Sequence, residues 1–259
     1  MAKVITITIR KGGSGKTTTA VNLASGLAKE GKKVLLVDLD SQANATIAVG
    51  IRPEAETVKN ISGVLDGKIK TADAVQPVYD FFLLAGTPEL SNNEQLLTAN
   101  LTPTSFLKMK TILEPVLKDY DYIIIDTPPS NGILAYNGLV ACDGAIIPAQ
   151  AQTFAIKGIQ QALELMENAR AMNPKITLLG ILPTMLQATT NVGNVVTQQL
   201  KADYGDDVLQ FSVPLTIKVT ESQLMGKPLM DYEPSNPACE AYRGLANHII
   251  KYYERSGNE

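Results

Sequence analysis

Lys11-Gly12-Gly13-Ser14-Gly15-Lys16-Thr17-Thr18 is the stretch on which the reading of this chain turns. It follows an apolar run with strand character, Val4–Ile9, and opens a helical pattern, Thr17–Glu30. Glycines let successive backbone N–H groups converge on one anion, and the following helix contributes the positive end of its dipole. Between a predicted strand and a predicted helix, the stretch reads as a phosphate loop. Lys16 is expected to reach the β- and γ-phosphates of a nucleotide as a point charge, and the Thr17 hydroxyl to ligate Mg²⁺. Gly12, Gly13, Ser14, Gly15 and Thr18 complete the cradle.

Outward from the loop, short apolar runs alternate with helical patterns. Val34–Leu39, Phe81–Ala85, Tyr122–Asp126, Ala145–Ala149 and Ile176–Leu182 read as further strands. Their continuous Val/Ile/Leu character is what strands covered on both faces require. Val4–Ile9 interleaves threonines, themselves good strand formers. Helices are expected over Thr17–Glu30, Thr104–Lys118, Asn131–Ala141, Thr153–Ala171 and Val192–Tyr204. A last helix runs from Asn236 to about Glu254, with Ser235 or Asn236 as its cap and Ala241, Leu245, Ile249 and Tyr252 as its stripe. The alternation argues an α/β fold, a doubly wound, mostly parallel sheet with helices on both faces. One P-loop domain over residues 1–259 is the economical organisation, with Ser41 to about Pro103 the least regular part.

Two strands end in acids. Val34-Leu35-Leu36-Val37-Asp38-Leu39-Asp40 places carboxylates at positions i and i+2, which share one face of a strand. Tyr122-Ile123-Ile124-Ile125-Asp126 ends in a third. At the carboxyl ends of a doubly wound sheet these acids lie near the phosphate loop. Asp38 is expected close to the metal and water network, and Asp126 to hold Mg²⁺ through water. Two acid-tipped strands beside one phosphate loop make a metal–phosphate site.

The loop departs from the general pattern G-x-x-x-x-G-K-[ST], because Arg10 stands five positions before Gly15. Its opening Lys11-Gly12-Gly13 instead resembles the K-G-G-x-G-K-[ST] of the deviant Walker A ATPases, the ParA/MinD superfamily, and within them the ParA/Soj partition proteins. The resemblance covers nearly the whole chain. Asp38, Asp40, Gln42 and Asn44 follow the family's D-x-D-P-Q-G-N, with departures at Ser41 and Ala43; Asp126-Thr127-Pro128-Pro129 matches D-T-P-P. Gly226-Lys227-Pro228 and Ala241-Tyr242-Arg243 resemble later family segments, and Pro214 resembles the proline of the adenine-side loop.

The resemblance implies ATP and Mg²⁺ as cofactors and an ATP-dependent homodimer in which Lys11 reaches the partner subunit's nucleotide. It implies Asp40 as the acid that activates water, and Pro214 and Leu215 flanking the base. It further implies that the ATP dimer binds duplex DNA without sequence preference, and that a ParB-like or cargo-adaptor protein stimulates hydrolysis. The cargo would be a partition complex, or a protein assembly as in the carboxysome-distributing McdA members. The expected place is the cytoplasm, on the nucleoid. With the phosphate-loop strand starting at Val4, no helix-turn-helix extension precedes it in this sequence, and operator-specific repression is not expected.

Composition narrows the alternatives. The formal net charge is −3, so any DNA face must be a local patch. Lys201, Lys218, Lys227, Arg243, Lys251 and Arg255 are the candidates for it. Cys142 and Cys239 are too few for a disulfide framework or a zinc site and read as core thiols. No secretory signal or membrane-spanning run is visible. The lone histidine, His248, completes no triad or metal set. A MinD-like membrane ATPase would end in a basic amphipathic anchor, whereas the tail here has mixed charge. A P-loop phosphoryl-transfer enzyme would not need Lys11.

Overall fold

Seven strands carry the fold: β1 (Lys3–Ile7), β2 (Val34–Asp38), β3 (Gln76–Val78), β4 (Phe81–Leu84), β5 (Tyr122–Asp126), β6 (Gly144–Gln150) and β7 (Thr177–Thr184). The computed structural model describes residues 1–55, 57–150, 155–187 and 191–256. The strands form one sheet in the order β3-β4-β2-β5-β1-β6-β7. Every pairing is parallel except β3 with β4. The expected doubly wound architecture is present. β3, a short antiparallel edge strand, is an addition the sequence did not signal.

Strand alternation sorts the apolar residues into two layers. Ile5, Ile7, Leu36 and Ile124 face α1 (Lys16–Lys29) and α12 (Pro237–Ser256), packing with Leu23, Leu27, Tyr242, Leu245 and Ile249. Their strand neighbours Val4, Leu35, Val37, Ile123 and Ile125 face the opposite layer, with Leu134 and Leu139 of α7 (Ile133–Ala141) and Met166 of α8 (Ala155–Ala169). Period 2 along each strand thus fills both cores. The threonine in β1 is paid for by backbone: Thr6 Oγ1 donates to Gly138 O at 2.7 Å. Asn236 caps α12 as expected, its Oδ1 accepting from Ala238 N at 3.0 Å. That helix lies docked along the first layer. Among the described residues no helix is long and apolar enough to cross a membrane.

Two expectations shift, and part of a third lies outside the described residues. The helix over Thr104–Lys118 is a short α6 (Lys108–Leu113) between 3-10 turns at Pro103–Leu107 and Glu114–Val116. Pro115 lacks the N–H that a continuing helix needs. The start of the Thr153–Ala171 helix, residues 153–154, lies outside the described residues. The irregular stretch from Ser41 folds into α2 (Asn44–Ala48), α3 (Ile61–Leu65), α4 (Thr71–Ala74) and α5 (Leu90–Ala99), most of them too short for a helical period to register. Beyond α9 (Asn191–Tyr204), the segments α10 (Ile217–Leu224) and α11 (Leu229–Tyr232) complete the chain.

A close approach of two glycines ties α10 to the loop after α2. Gly50 and Gly226 both have positive φ, 82° and 63°. A Cβ on Gly226 would lie 2.6 Å from Gly50 Cα. Tyr79 Oη donates to Gly226 O at 2.5 Å from the side of the β3–β4 turn. Gly226→Ala therefore meets strain and backbone overlap together. The comparison is Gly31→Ala, also at positive φ (78°) but with nothing within 4 Å, which costs strain alone, about 1–2 kcal/mol. In urea unfolding, Gly226→Ala is expected to cost at least ~1 kcal/mol more than Gly31→Ala; equal losses would show that the glycine contact constrains nothing.

Candidate functional site

The phosphate loop takes its shape from two left-handed glycines, Gly13 at φ 71° and Gly15 at φ 89°. A Cβ added at Gly12 or Gly13 would meet no protein atom within 4 Å, so the loop faces open space. Ser14 Oγ donates to Lys11 O at 2.9 Å, and Thr184 Oγ1, at the end of β7, donates to Ser14 O at 2.9 Å. The loop is thereby held from within and from the sheet. It borders a cleft of about 540 Å³ whose walls include Lys16, Thr17, Asp40, Gln42, Thr220 and Gln223.

Lys16 is buried and has Lys11 O at 3.4 Å from its Nζ. Burial lowers its pKa, against the opposing pull of Asp126 and Asp40. Asp38 and Asp126 are register neighbours on β2 and β5 and both are fully buried. Burial above all pushes Asp38 up to about 6, with the Asp40 charge adding to it and hydrogen bonds from Thr46 and Asp40 resisting. Asp126 rises well above the usual carboxylate range through burial and the Asp38 charge, which outweigh the Thr17 hydroxyl and Lys16.

These residues fit a magnesium ion shared with phosphate. Thr17 Oγ1 donates to Asp126 Oδ2 at 2.7 Å, while Asp126 Oδ1 is buried with no hydrogen-bond partner among the described residues. An acid so placed, beside a second one, favours a cation. No cluster of three or more His, Cys, Asp or Glu side chains able to hold a metal occurs among the described residues. That accords with Mg²⁺, which keeps waters and substrate oxygens rather than an all-protein cage.

Asp38 sits differently from its expected role beside the metal. Its Oδ2 accepts from Thr46 N and Thr46 Oγ1, both at 2.8 Å, and its Oδ1 from Asp40 N at 3.2 Å. Both oxygens serve the loop rather than the cleft. Asp40 is buried beside the cleft, its Oδ1 accepting from Gln42 N at 3.0 Å. Ala43 stands at φ 51°, a left-handed position that explains the glycine of the family pattern at this place.

Pro214 and Leu215 line a small cavity of about 90 Å³ together with Gly15 and Thr18, so the structure brings them beside the loop. Gln42, Asn44, Ile47, Met185, Thr220 and Gln223 also line the main cleft and were not assigned from sequence. For Gln42 and Asn44 the family pattern was the available signal; the others sit on short elements with none. Gln223 Nε2 donates to Thr18 Oγ1 at 3.2 Å, tying α10 to the phosphate loop.

The basic candidates lie on or beside three helices, α9, α10 and α12. Lys251 and Arg255 share a cavity on α12 with His248 and Tyr252. Lys218 is paired with Glu221 at 2.7 Å, and Arg243 Nη2 donates to Pro234 O at 2.7 Å. Lys201 and Lys227 are exposed on α9 and after α10. Both cysteines are buried, and burial pushes the Cys142 thiol up to about 12.

Comparison with known proteins follows the same lines. The AAA domain family matches residues 2–178. The chromosome-partitioning ATPase Soj of Thermus thermophilus is 38% identical over 249 residues, 95% of this chain and 94% of that protein. The chain belongs to the ParA/Soj family of ATPases. Among solved structures, cobyrinic acid a,c-diamide synthase of Mycobacterium smegmatis with bound ADP and magnesium has a TM-score of 0.84 at 30% identity, over 98% of this chain and 96% of that one. The ATP complex of Cyanothece McdA shares the fold, with a TM-score of 0.85 at 23% identity and 96% of both chains covered. The ParA/Soj phosphate loop, with its two lysines, is thus set in the ParA/Soj fold.

The acid pair makes a test of stability against pH. A carboxyl whose folded pKa lies above its unfolded value takes up protons on folding as pH falls; its destabilising charge is fully present above the folded pKa. Asp126→Asn removes one such charge. At pH 7.5, without nucleotide or magnesium, the variant is expected to melt no lower than the parent, by a margin of up to a few degrees at roughly 2–4 °C per kcal/mol. That margin should narrow toward pH 5, as Asp38 takes up its proton at about 6 and Asp126, raised well above the usual carboxylate range, is also neutralised. A variant several degrees less stable at both pH values would contradict the cluster's unbalanced charge.

Proposed function

We propose that this chain is a MgATP-driven partition-type switch that dimerises around its nucleotide, binds duplex DNA without sequence preference as the ATP dimer, and moves a cargo over the nucleoid. The observation that carries the proposal is the separation of the two lysines. Lys16 lines the cleft and Lys11 does not, its Nζ lying 3.4 Å from Gln150 Oε1 instead. A phosphate-loop lysine that does not line that cleft is suited to another subunit's phosphates.

Each residue then has a task. Lys16 and the loop N–H groups hold the β- and γ-phosphates, and Pro214 and Leu215 flank the base. Thr17 and, through water, Asp126 hold magnesium, which neutralises developing charge on the phosphate oxygens. Asp40 orients the attacking water. Lys11 of each subunit completes the partner's site. A ParB-like or cargo-adaptor protein accelerates hydrolysis and ends the DNA-bound state. Soj of Thermus thermophilus, similar over almost its whole length, supports the partition reading.

On DNA, Lys201, Lys218, Lys227, Arg243, Lys251 and Arg255 are the proposed phosphate contacts. Dimerisation doubles each scattered patch on a chain of net charge −3. A second reading, an ATP-dependent metabolic enzyme, draws on the likeness to the Mycobacterium smegmatis structure.

One set of measurements separates them. With MgATP, light scattering should find a dimer for the parent and a monomer that still binds ATP for Lys11→Ala. The parent should retard duplex DNA of any sequence with ATP and not with ADP. Its affinity should fall with log salt at a slope of about −0.9 per phosphate contacted. DNA with the partner protein should raise turnover, and small organic acids should not. A dimer of normal strength in Lys11→Ala, or turnover stimulated by an organic acid alone, contradicts the proposal.

A further inference from the structure

We propose that Thr46 is a positioning residue for hydrolysis: through Asp38 it fixes the loop that presents Asp40. The inference rests on Asp40 as the water-orienting acid. Thr46 is fully buried in α2, between the cleft-wall residues Asn44 and Ile47 in sequence, and does not itself line that cleft. Its hydroxyl donates to Asp38 Oδ2 and accepts from Gly86 N, each at 2.8 Å. Its own N–H adds a second bond to the same carboxylate oxygen, 2.8 Å.

Asp38 passes the constraint on. Its other oxygen accepts from Asp40 N at 3.2 Å, so one carboxylate spans the start and the end of the segment from 38 to 46. Gly86 lies close against it, where a Cβ would come within 2.7 Å of Asp38 Cγ. Within the segment Ala43 N donates to Asp40 O at 2.9 Å and Gln42 N to Asp40 Oδ1 at 3.0 Å. The backbone on both sides of Asp40 is therefore held by bonds that close through Thr46, and the strand end after β4 anchors the closure at Gly86.

The hydroxyl is the only part of Thr46 able to join Gly86 to Asp38 at once, because a hydroxyl both donates and accepts. Removing it leaves the Gly86 N–H and an Asp38 lone pair buried without a partner, while the phosphate loop, Thr17 and Asp126 keep their contacts. Ground-state binding of nucleotide should persist, and the geometry of the attacking water should not. A misplacement on the order of 1 Å costs up to about 100-fold in rate.

The test compares Thr46→Val, nearly the same shape without the hydroxyl, with Thr46→Ser, which keeps it, and with Asp40→Ala. Calorimetry gives MgATP affinity, single-turnover phosphate release gives the rate, and urea unfolding confirms the fold. Thr46→Val is expected to bind MgATP within about threefold of the parent and to hydrolyse it roughly 10–100-fold more slowly. Thr46→Ser should recover most of the rate. Should Thr46→Val not fold, Thr46→Ala carries the same test, since it removes the hydroxyl without setting a methyl against the Asp38 carboxylate. Parental turnover in the variant lacking the hydroxyl, or a loss of affinity matching the loss of rate, overturns the inference while leaving Asp40 in place if Asp40→Ala is inactive. Parental turnover in Asp40→Ala would sink both.

Discussion

Two buried carboxylates lie side by side at the carboxyl end of the sheet, and the site is arranged around that fact. Asp38 and Asp126 occupy matched register positions on adjacent strands, both removed from water, with Asp40 close by. Lys16 is the nearby cation, and burial works against its own charge. Such a cluster is costly unless each oxygen is hydrogen-bonded or faces a cation. Asp38 meets the requirement with three protein donors. Asp126 meets half of it through Thr17, and its remaining oxygen is without a partner among the described residues. The two acids differ in this respect: Asp38 holds a loop, and Asp126 keeps the oxygen for which we propose a metal.

The fold supplies the rest by position. β1 lies between β5 and β6, so the phosphate loop leaves the interior of the sheet beside the tip of β5, with β2 one strand further on. α1 begins at Lys16 and aims its N-terminus at the cleft. Short elements off the sheet close the opposite wall. α10 reaches the loop through Gln223 and Thr18, and the Gly50–Gly226 contact locks the end of α10 to the segment that follows Asp40's loop. The helix that carries Lys218 is thus joined both to the phosphate loop and to the segment after α2.

Much of this was legible in the sequence, for physical reasons. Buried parallel strands are written as continuous Val/Ile/Leu runs, which marked β2, β4, β5, β6 and β7, while β1 showed through its alternating threonines. β3 did not: Gln76-Pro77-Val78 is three residues long, with a proline, on an edge. α2, α3, α4 and α11 are too short to show a helical period. The phosphate loop and the acid-tipped strands announced themselves because their chemistry needs fixed residue types at fixed spacing. What did not show was the division of labour between the acids. Asp38 and Asp126 look alike as strand-end aspartates, and only Thr46 and Gly86, eight and forty-eight positions further on, separate their roles. Ala43 is a related case. As a letter it departs from the family pattern; in the fold it occupies the left-handed position that the pattern's glycine serves, tolerated within a turn that Asp40 O and Asp38 already constrain.

Three carboxylates beside the phosphate loop should make the site prefer a nucleotide that arrives with a cation. Calorimetric titration of ATP into the parent chain, with Mg²⁺ and again with the metal chelated, tests it most directly. Binding should be tight with Mg²⁺ and at least about tenfold weaker without it, a difference of roughly 1.4 kcal/mol or more. Equal affinity in the two titrations would contradict it, since the phosphate loop alone would then outweigh the charge on Asp38, Asp40 and Asp126.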